Sequence, residues 1–366
     1  MTSVVLAGGG TAGHTSPLIA TAQALRMLEP GVDVVCIGTA RGLETRVVPA
    51  AGFQLELITP VPMPRRPNLD LLKLPWRLAK AVRESRRILR TAGAEALVGF
   101  GGYVSIPAYL AARTLGVPVV IHEANKLPGI ANRIGARFAA HVATTFAETM
   151  LPGAHLTGMP MSASITDGTT TRESARAQFD LDPGAPVLLV SGGSQGARSI
   201  NTAVEAALDE LLAAGVQVLH VLGPKNFADD LTGRNHPSGG RYRPLAYVDA
   251  MADAYAASDL MVARGGAATV VETAAAGLPV IFVPLPWGNG EQEKNVADLV
   301  SSGAGILLHD GALDAPALCS LVLPLLTDPA ALEEMSSKAR SQYPRDAALA
   351  LARATLAVID AKDSTK

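Results

Sequence analysis

A chain of 366 residues is too long for one ordinary core and suits two domains of roughly 150 to 200 residues each. Hydrophobic residues make up 48% and charged residues 17%, with a formal net charge of -2, which excludes a disordered chain and any global charge bias toward nucleic acid. The two cysteines, Cys36 and Cys319, lie far apart and outside any CxxC or metal-ligand spacing, so no disulfide framework is expected and a reducing compartment is the default.

The N-terminus runs straight into Ser3-Val4-Val5-Leu6 with neither a basic n-region nor a long apolar h-region, so no secretory signal is expected and the chain is placed in the cytosol. A strand over Ser3–Leu6 feeds a loop in which Gly8, Gly10 and Gly13 spell GxGxxG, and an amphipathic helix follows. Glycines there permit a tight turn and close approach of backbone to a phosphate, while the helix start supplies free N–H donors. A dinucleotide enzyme would carry Asp or Glu at the end of the second strand. Here Asp33–Ile37 runs on into Gly38-Thr39, which argues against a nicotinamide cofactor. His14 ends the loop beside a helix N-terminus that would lower its pKa and keep it neutral, making it the first candidate for a general base. A structural hydrogen-bonding role competes with that reading.

Residues 65 to 90 hold nine Lys or Arg against Asp70 and Glu84, a local +7 in a chain of net -2. Leu71, Leu74, Leu78, Val82 and Leu89 fall near one face of a predicted helix with Trp76 beside it, and Lys73, Arg77, Lys80 and Arg87 form a cationic stripe; Pro75 must start or kink the helix. Such a segment suits an anionic lipid surface met by Trp76, Arg77, Lys80 and Arg83, and it equally suits a helix whose leucine face packs on its own sheet. Strands are predicted next at Ala96–Val98 and Val117–Ile121, and His122-Glu123 just beyond is a competing base candidate. The uncharged runs Ala96–Ala112 and Thr273–Gly290 approach membrane-span length, but glycines and prolines interrupt both, so no transmembrane helix is expected.

A turn-rich polar patch from about Met159 to Gly184 marks a boundary, giving domains 1–161 and 162–344 and a helical tail 345–366 that could return to the first domain. The pattern then restarts with strands at Val187–Val190, Val216–Leu222, Leu260–Val262 and Val280–Val283 among alanine-rich helices, the signature of βαβ units and parallel sheets. LLVSGGSQGARSIN echoes VVLAGGGTAGH, so the predicted fold class is α/β with two Rossmann-like domains facing a cleft. Ser194 adds a hydroxyl to the second glycine loop, as a diphosphate cradle would need. Further on, a helix beginning near Ala267 places Glu272 one to two turns in, on the side of Thr269, where a carboxylate can accept hydrogen bonds from ribose hydroxyls. A solvated helix glutamate is the alternative. No carboxylate pair or His/Cys cluster suggests a divalent ion.

The ordered stretches GGGTAGH (8 to 14), GFGGYVSIP (99 to 107), HEANKLPG (122 to 129), GGSQGA (192 to 197), RGGAATVVETAAAGLP (264 to 279) and GNGEQEKN (288 to 295) closely resemble the bacterial MurG-type glycosyltransferases of peptidoglycan synthesis. The resemblance spans almost the whole chain. It implies a two-domain fold of glycosyltransferase B type and inverting transfer from UDP-N-acetylglucosamine to the C4 hydroxyl of undecaprenyl-pyrophosphoryl-muramoyl-pentapeptide, with no cofactor and no obligatory metal. It also implies a peripheral location on the cytoplasmic face of the cell membrane. Carried over residue by residue, Thr11, Ala12 and Gly13 would line donor sugar and phosphates, Asn125 the sugar, and Ser194 the diphosphate. Tyr247-Val248 would hold the uracil, with Ala267, Ala268, Thr269, Val270, Val271 and Glu272 around the nucleoside and Gln292 on the sugar hydroxyls. One departure stands out: the family's crossing motif GNPVR reads Gly158-Met159-Pro160-Met161-Ser162 here, so a cationic donor contact is missing, and Arg198 or Arg264 is a candidate replacement. Other readings on this fold are a UDP-N-acetylglucosamine 2-epimerase, a different glycolipid synthase, and a non-catalytic nucleotide-sugar-binding protein of the cell wall.

Overall fold

The computed structural model describes residues 2–61, 70–287 and 289–364, and of residues 70–72 and 363 the backbone alone. Arg65, Arg66, the side chain of Leu71 and Gly288 therefore lie outside the described residues. Two compact units emerge, Met1–Ser162 together with Pro344–Lys366, and Ala163–Tyr343.

In the first unit, apolar strands alternate with helices: β1 (Ser3–Ala7), α1 (Ala12–Leu28), β2 (Asp33–Gly38), α2 (Glu44–Ala50), β3 (Gln54–Leu57), α3 (Asp70–Thr91), β4 (Ala96–Gly99), α4 (Ser105–Leu115), β5 (Val119–Glu123), α5 (Ile130–Gly135), β6 (His141–Thr144) and β7 (Ala154–Leu156). All seven strands pair in parallel in the order β3-β2-β1-β4-β5-β6-β7. β1, β4 and β5 are buried throughout, as expected of strands covered by helices on both faces.

The second unit repeats the plan with α6 (Ala163–Thr166), α7 (Arg172–Gln178), β8 (Val187–Ser191), α8 (Arg198–Ala213), β9 (Gln217–Val221), β10 (Arg234–Asn235), β11 (Arg241–Leu245), α9 (Met251–Ala257), β12 (Leu260–Ala263), α10 (Ala267–Ala276), β13 (Val280–Phe282), α11 (Glu291–Ser301), β14 (Gly305–Leu307), α12 (Ala315–Leu326) and α13 (Pro329–Arg340). Its sheet runs β10-β11-β9-β8-β12-β13-β14, parallel except where β10 meets β11. The last helix, α14 (Ala347–Asp363), belongs to the first unit, where Leu351, Ala352 and Ile359 join Leu18, Ala22 and Leu25 of α1 in one core.

Strand order reverses on either side of β1 in one unit and of β8 in the other. The loop after β1 is thereby set beside the loop after β4, and the loop after β8 beside that after β12, at the switch points where ligands of doubly wound sheets bind. α3 shows what its leucines do: Leu89 is buried and Leu74, Leu78 and Val82 are partly buried against the sheet and α4, while Trp76 is 81% exposed. Among the described residues no single helix is long and apolar enough to cross a membrane.

Candidate active site

At the switch point of the first unit, Gly10 takes φ +95°, a backbone conformation that side-chain-bearing residues rarely adopt, and the chain then enters α1 through Thr11 as N-cap. Thr11 is exposed and Ala12, Gly13 and His14 are half-buried on the first turn. The imidazole lies over the turn that follows β4: a Cβ on Gly101 would stand 3.4 Å from its Nε2, and one on Gly102 3.5 Å from its Nδ1. Thr11 Oγ1 is 3.4 Å from Nδ1. The pKa of His14 is lowered, as the sequence suggests, but burial is the main cause; a hydrogen bond with the Gly9 backbone and the charge of Glu44 pull the other way. A hydrogen bond to the Gly9 carbonyl uses the protonated ring nitrogen of the neutral form and leaves the other with its lone pair, the state a base requires.

The competing pair is otherwise engaged. His122 is fully buried, its Nε2 is 2.9 Å from the carbonyl of Gly158, and burial depresses its pKa to about 4. Glu123 accepts from the backbone N–H of Asn125 (2.9 Å) and of Gly129 (3.0 Å) and from Asn132 Nδ2 (2.9 Å), so it staples the loop that presents half-buried Asn125. Asn132 is in turn held by the Tyr109 hydroxyl at 2.7 Å.

In the second unit the loop after β8 carries half-buried Ser194 just ahead of α8. After β12, Gly265 is pressed by α11: a Cβ there would lie 2.6 Å from the carbonyl of Gln292, and Asn295 Nδ2 donates to the Gly265 carbonyl at 3.2 Å. α10 begins at Ala267 with Gly266 as N-cap and has no acidic residue in its first turn. Along this run Ala267, Val270 and Val271 are buried in the core, so Ala268, Thr269 and Glu272 are the residues whose side chains reach the surface. Val248 is also buried, which leaves its backbone rather than its side chain for a ligand. Glu272 accepts a hydrogen bond from the Tyr255 hydroxyl at 2.9 Å; burial pushes its pKa up to about 7, against the lowering effect of that bond. Gln292 is half-buried and its Oε1 accepts from the Leu285 N–H at 3.0 Å, leaving its amide N–H groups for other partners.

The two arginines offered for the missing crossing arginine sit in different surroundings. Arg264 is buried, its Nη1 donates to the carbonyls of Val283 and Pro284 and to Asp310 at 2.6 Å, and its Nη2 to Ser199 at 2.7 Å. This guanidinium ties β12 to α8, while its Nε has no hydrogen-bond partner among the described residues. Arg198 is exposed at the first position of α8. In the crossing itself, Met159 and Met161 are buried. Two residues escaped sequence reasoning, Glu44 and Tyr255: Glu44 reaches Gly10 across 34 residues and Tyr255 reaches Glu272 across 17, and no local pattern marks them. The membrane candidates separate cleanly: Trp76, Lys80 and Arg83 are exposed and Arg77 is half-buried, with Arg83, Arg86, Arg87 and Arg90 lining one groove of α3.

Residues 4–144 match the glycosyltransferase family 28 N-terminal domain and residues 187–351 the family 28 C-terminal domain. The chain is 53% identical to a Cutibacterium acnes protein over 373 residues, covering all of both chains, and 52% identical to a Nocardioides protein over 96% of this chain and 97% of that one. Both relatives are named UDP-N-acetylglucosamine–N-acetylmuramyl-(pentapeptide) pyrophosphoryl-undecaprenol N-acetylglucosamine transferase. Among solved structures, Acinetobacter baumannii MurG superposes with a TM-score of 0.73 at 28% identity, over 98% of this chain and all of that one. A UDP-N-acetylglucosamine 2-epimerase from Listeria monocytogenes, at 12% identity and TM-score 0.67, shares the fold alone. The chain belongs to glycosyltransferase family 28, and within it to the MurG-type N-acetylglucosamine transferases.

Proposed function

We propose that this chain moves N-acetylglucosamine from UDP-N-acetylglucosamine to the C4 hydroxyl of undecaprenyl-pyrophosphoryl-N-acetylmuramoyl-pentapeptide, inverting the configuration at C1 of the sugar. The observation that carries the reading is the division of chemistry between the two switch points. One presents a neutral imidazole over a glycine turn; the other presents an uncharged helix start with a hydrogen-bonded carboxylate one and a half turns in. In this reading Glu272 accepts both ribose hydroxyls, the backbone at Val248 meets the uracil, Ser194 and the α8 N-terminus face the diphosphate, and Gln292 and Asn125 meet the sugar. Thr11, Ala12 and Gly13 present the helix-start N–H groups of the first unit.

The acceptor C4 oxygen attacks the donor C1 as the bond from C1 to the β-phosphate oxygen breaks. The hydroxyl proton passes to His14, and UDP leaves with the electron pair, its added charge stabilised by the α8 N–H groups and Ser194. Attack opposite the leaving group gives inversion. The lipid-anchored acceptor gives α3 its role: Trp76, Arg77, Lys80 and Arg83 would seat the protein on the anionic cytoplasmic face of the cell membrane. The test is to characterise the product made from the two substrates by NMR. A β-linked disaccharide on C4 supports the proposal, whereas an α-linkage, or release of N-acetylmannosamine, refutes it.

A further inference from the structure

Glu44 is fully buried at the start of α2, and its side chain is enclosed by glycines from the end of β2 and the connections after β1 and β2: a Cβ on Gly9, Gly38 or Gly42 would fall within 2.6 Å of one of its side-chain atoms. All its hydrogen-bond partners are donors. Gly10 N–H donates to Oε2 at 2.8 Å, and the Thr39 N–H and hydroxyl donate to Oε1 at 2.9 and 3.0 Å. The Gly10 amide belongs to the strand-to-helix glycine loop that in dinucleotide folds is left open for a phosphate. Here a side chain of the protein itself already occupies it.

We propose that Glu44 is a positioning residue that substitutes for an anionic ligand at the head of the first glycine loop, fixing the segment that carries Thr11 and His14 and supplying a negative charge that favours protonation of His14. Substrate anions are thereby turned away from Gly10 and left with the N–H groups of Thr11 to Gly13. The inference rests on the reading of His14 as base. The groups that face His14 are the Gly9 carbonyl and Thr11 hydroxyl of its own loop, Glu44 from α2, the Gly101-Gly102 turn with exposed Tyr103 beside it, and Asn132 of α5, behind which stand Glu123 and Tyr109. Glu44 is the group whose charge acts on His14, and it raises the basicity that burial lowers. A glutamine cannot replace it fully, because its NH2 would have to face either the Gly10 or the Thr39 N–H.

The experiment is an NMR titration of the His14 ring in the full chain, for wild type, Glu44→Gln and Glu44→Asp, with His14→Ala to assign the signal. In Glu44→Gln the His14 pKa falls, as loss of a nearby opposite charge requires, and the acid limb of kcat/KM moves down with it. An unchanged or higher His14 pKa overturns the proposal. If Glu44→Gln does not fold, Glu44→Asp decides: its shorter side chain withdraws from Gly10, whose amide then exchanges faster, and wild-type protection of that amide overturns the proposal. Wild-type turnover in His14→Ala would instead sink the base assignment, and the titration would still judge Glu44.

Discussion

At the residue scale, the proposed chemistry rests on two groups, His14 and Glu272, whose pKa values are moved chiefly by burial. Glu272 is the clearer case, because its pKa of about 7 lies inside the working range while Tyr255 holds it by one hydrogen bond. If only the carboxylate accepts from the ribose, affinity is lost as pH falls through that value, about tenfold between pH 8 and pH 6 by proton linkage. Uridine is the ligand to use in calorimetric titration, since it has no phosphate that titrates there. Replacing Tyr255 by Phe removes the bond that lowers the Glu272 pKa, so the loss should begin at higher pH; a curve that stays in place or moves down contradicts this role. The glycine loops and the candidates His14 and Glu272 were legible in the sequence because short-range spacing carries them. Tyr255 and Glu44 were not, since Tyr255 meets Glu272 across 17 residues and Glu44 reaches Gly10 across 34, and those contacts exist only once the chain has folded.

Among the elements, strands with β-branched, fully buried runs announce themselves, and all eight of those expected from the sequence are present. Several of the others lack such a run for physical reasons. β3 and β7 are the two edge strands of the first sheet, with partly or wholly exposed residues, and β11 contains two arginines and a proline. β5 also extends beyond Ile121 through His122 and Glu123, because Asn132 and the Gly158 carbonyl satisfy polar groups that periodicity counts against a strand. α3 illustrates the same division: its leucine face belongs to the core, and its outward face is cationic. On anionic vesicles each exposed cation is worth about 1 kcal/mol, so Arg83→Ala with Arg87→Ala should weaken partitioning roughly 30-fold, and Trp76→Ala should weaken it further. Sedimentation that leaves the partition coefficient of the double variant unchanged would remove α3 from membrane contact.

On the scale of the whole molecule, each unit has its own sheet and its own cores, and α14 adds its apolar face to the first. Leu351 is fully buried against α1, so Leu351→Ala should cost the first unit about 2 to 5 kcal/mol. UDP at a hundred times its dissociation constant should add about 2.7 kcal/mol to the second unit alone. Scanning calorimetry should therefore show the substitution and the ligand moving different transitions; UDP protection confined to the transition that Leu351→Ala lowers would reverse the assignment of donor binding. The repeat of strand, glycine loop and helix made the two-part plan readable in the sequence, whereas the return of α14 required its apolar face to find α1.

The measurement that bears most directly on the account is transfer of labelled sugar from UDP-N-acetylglucosamine to a short-chain lipid-linked muramoyl-pentapeptide, by wild type and by His14→Ala. The account predicts lipid-linked disaccharide from wild type, and from the variant full UDP binding with turnover about a hundredfold to ten-thousandfold slower, the usual worth of a general base. Wild-type protein that binds the donor but transfers nothing, or a variant that turns over at the wild-type rate, would contradict it.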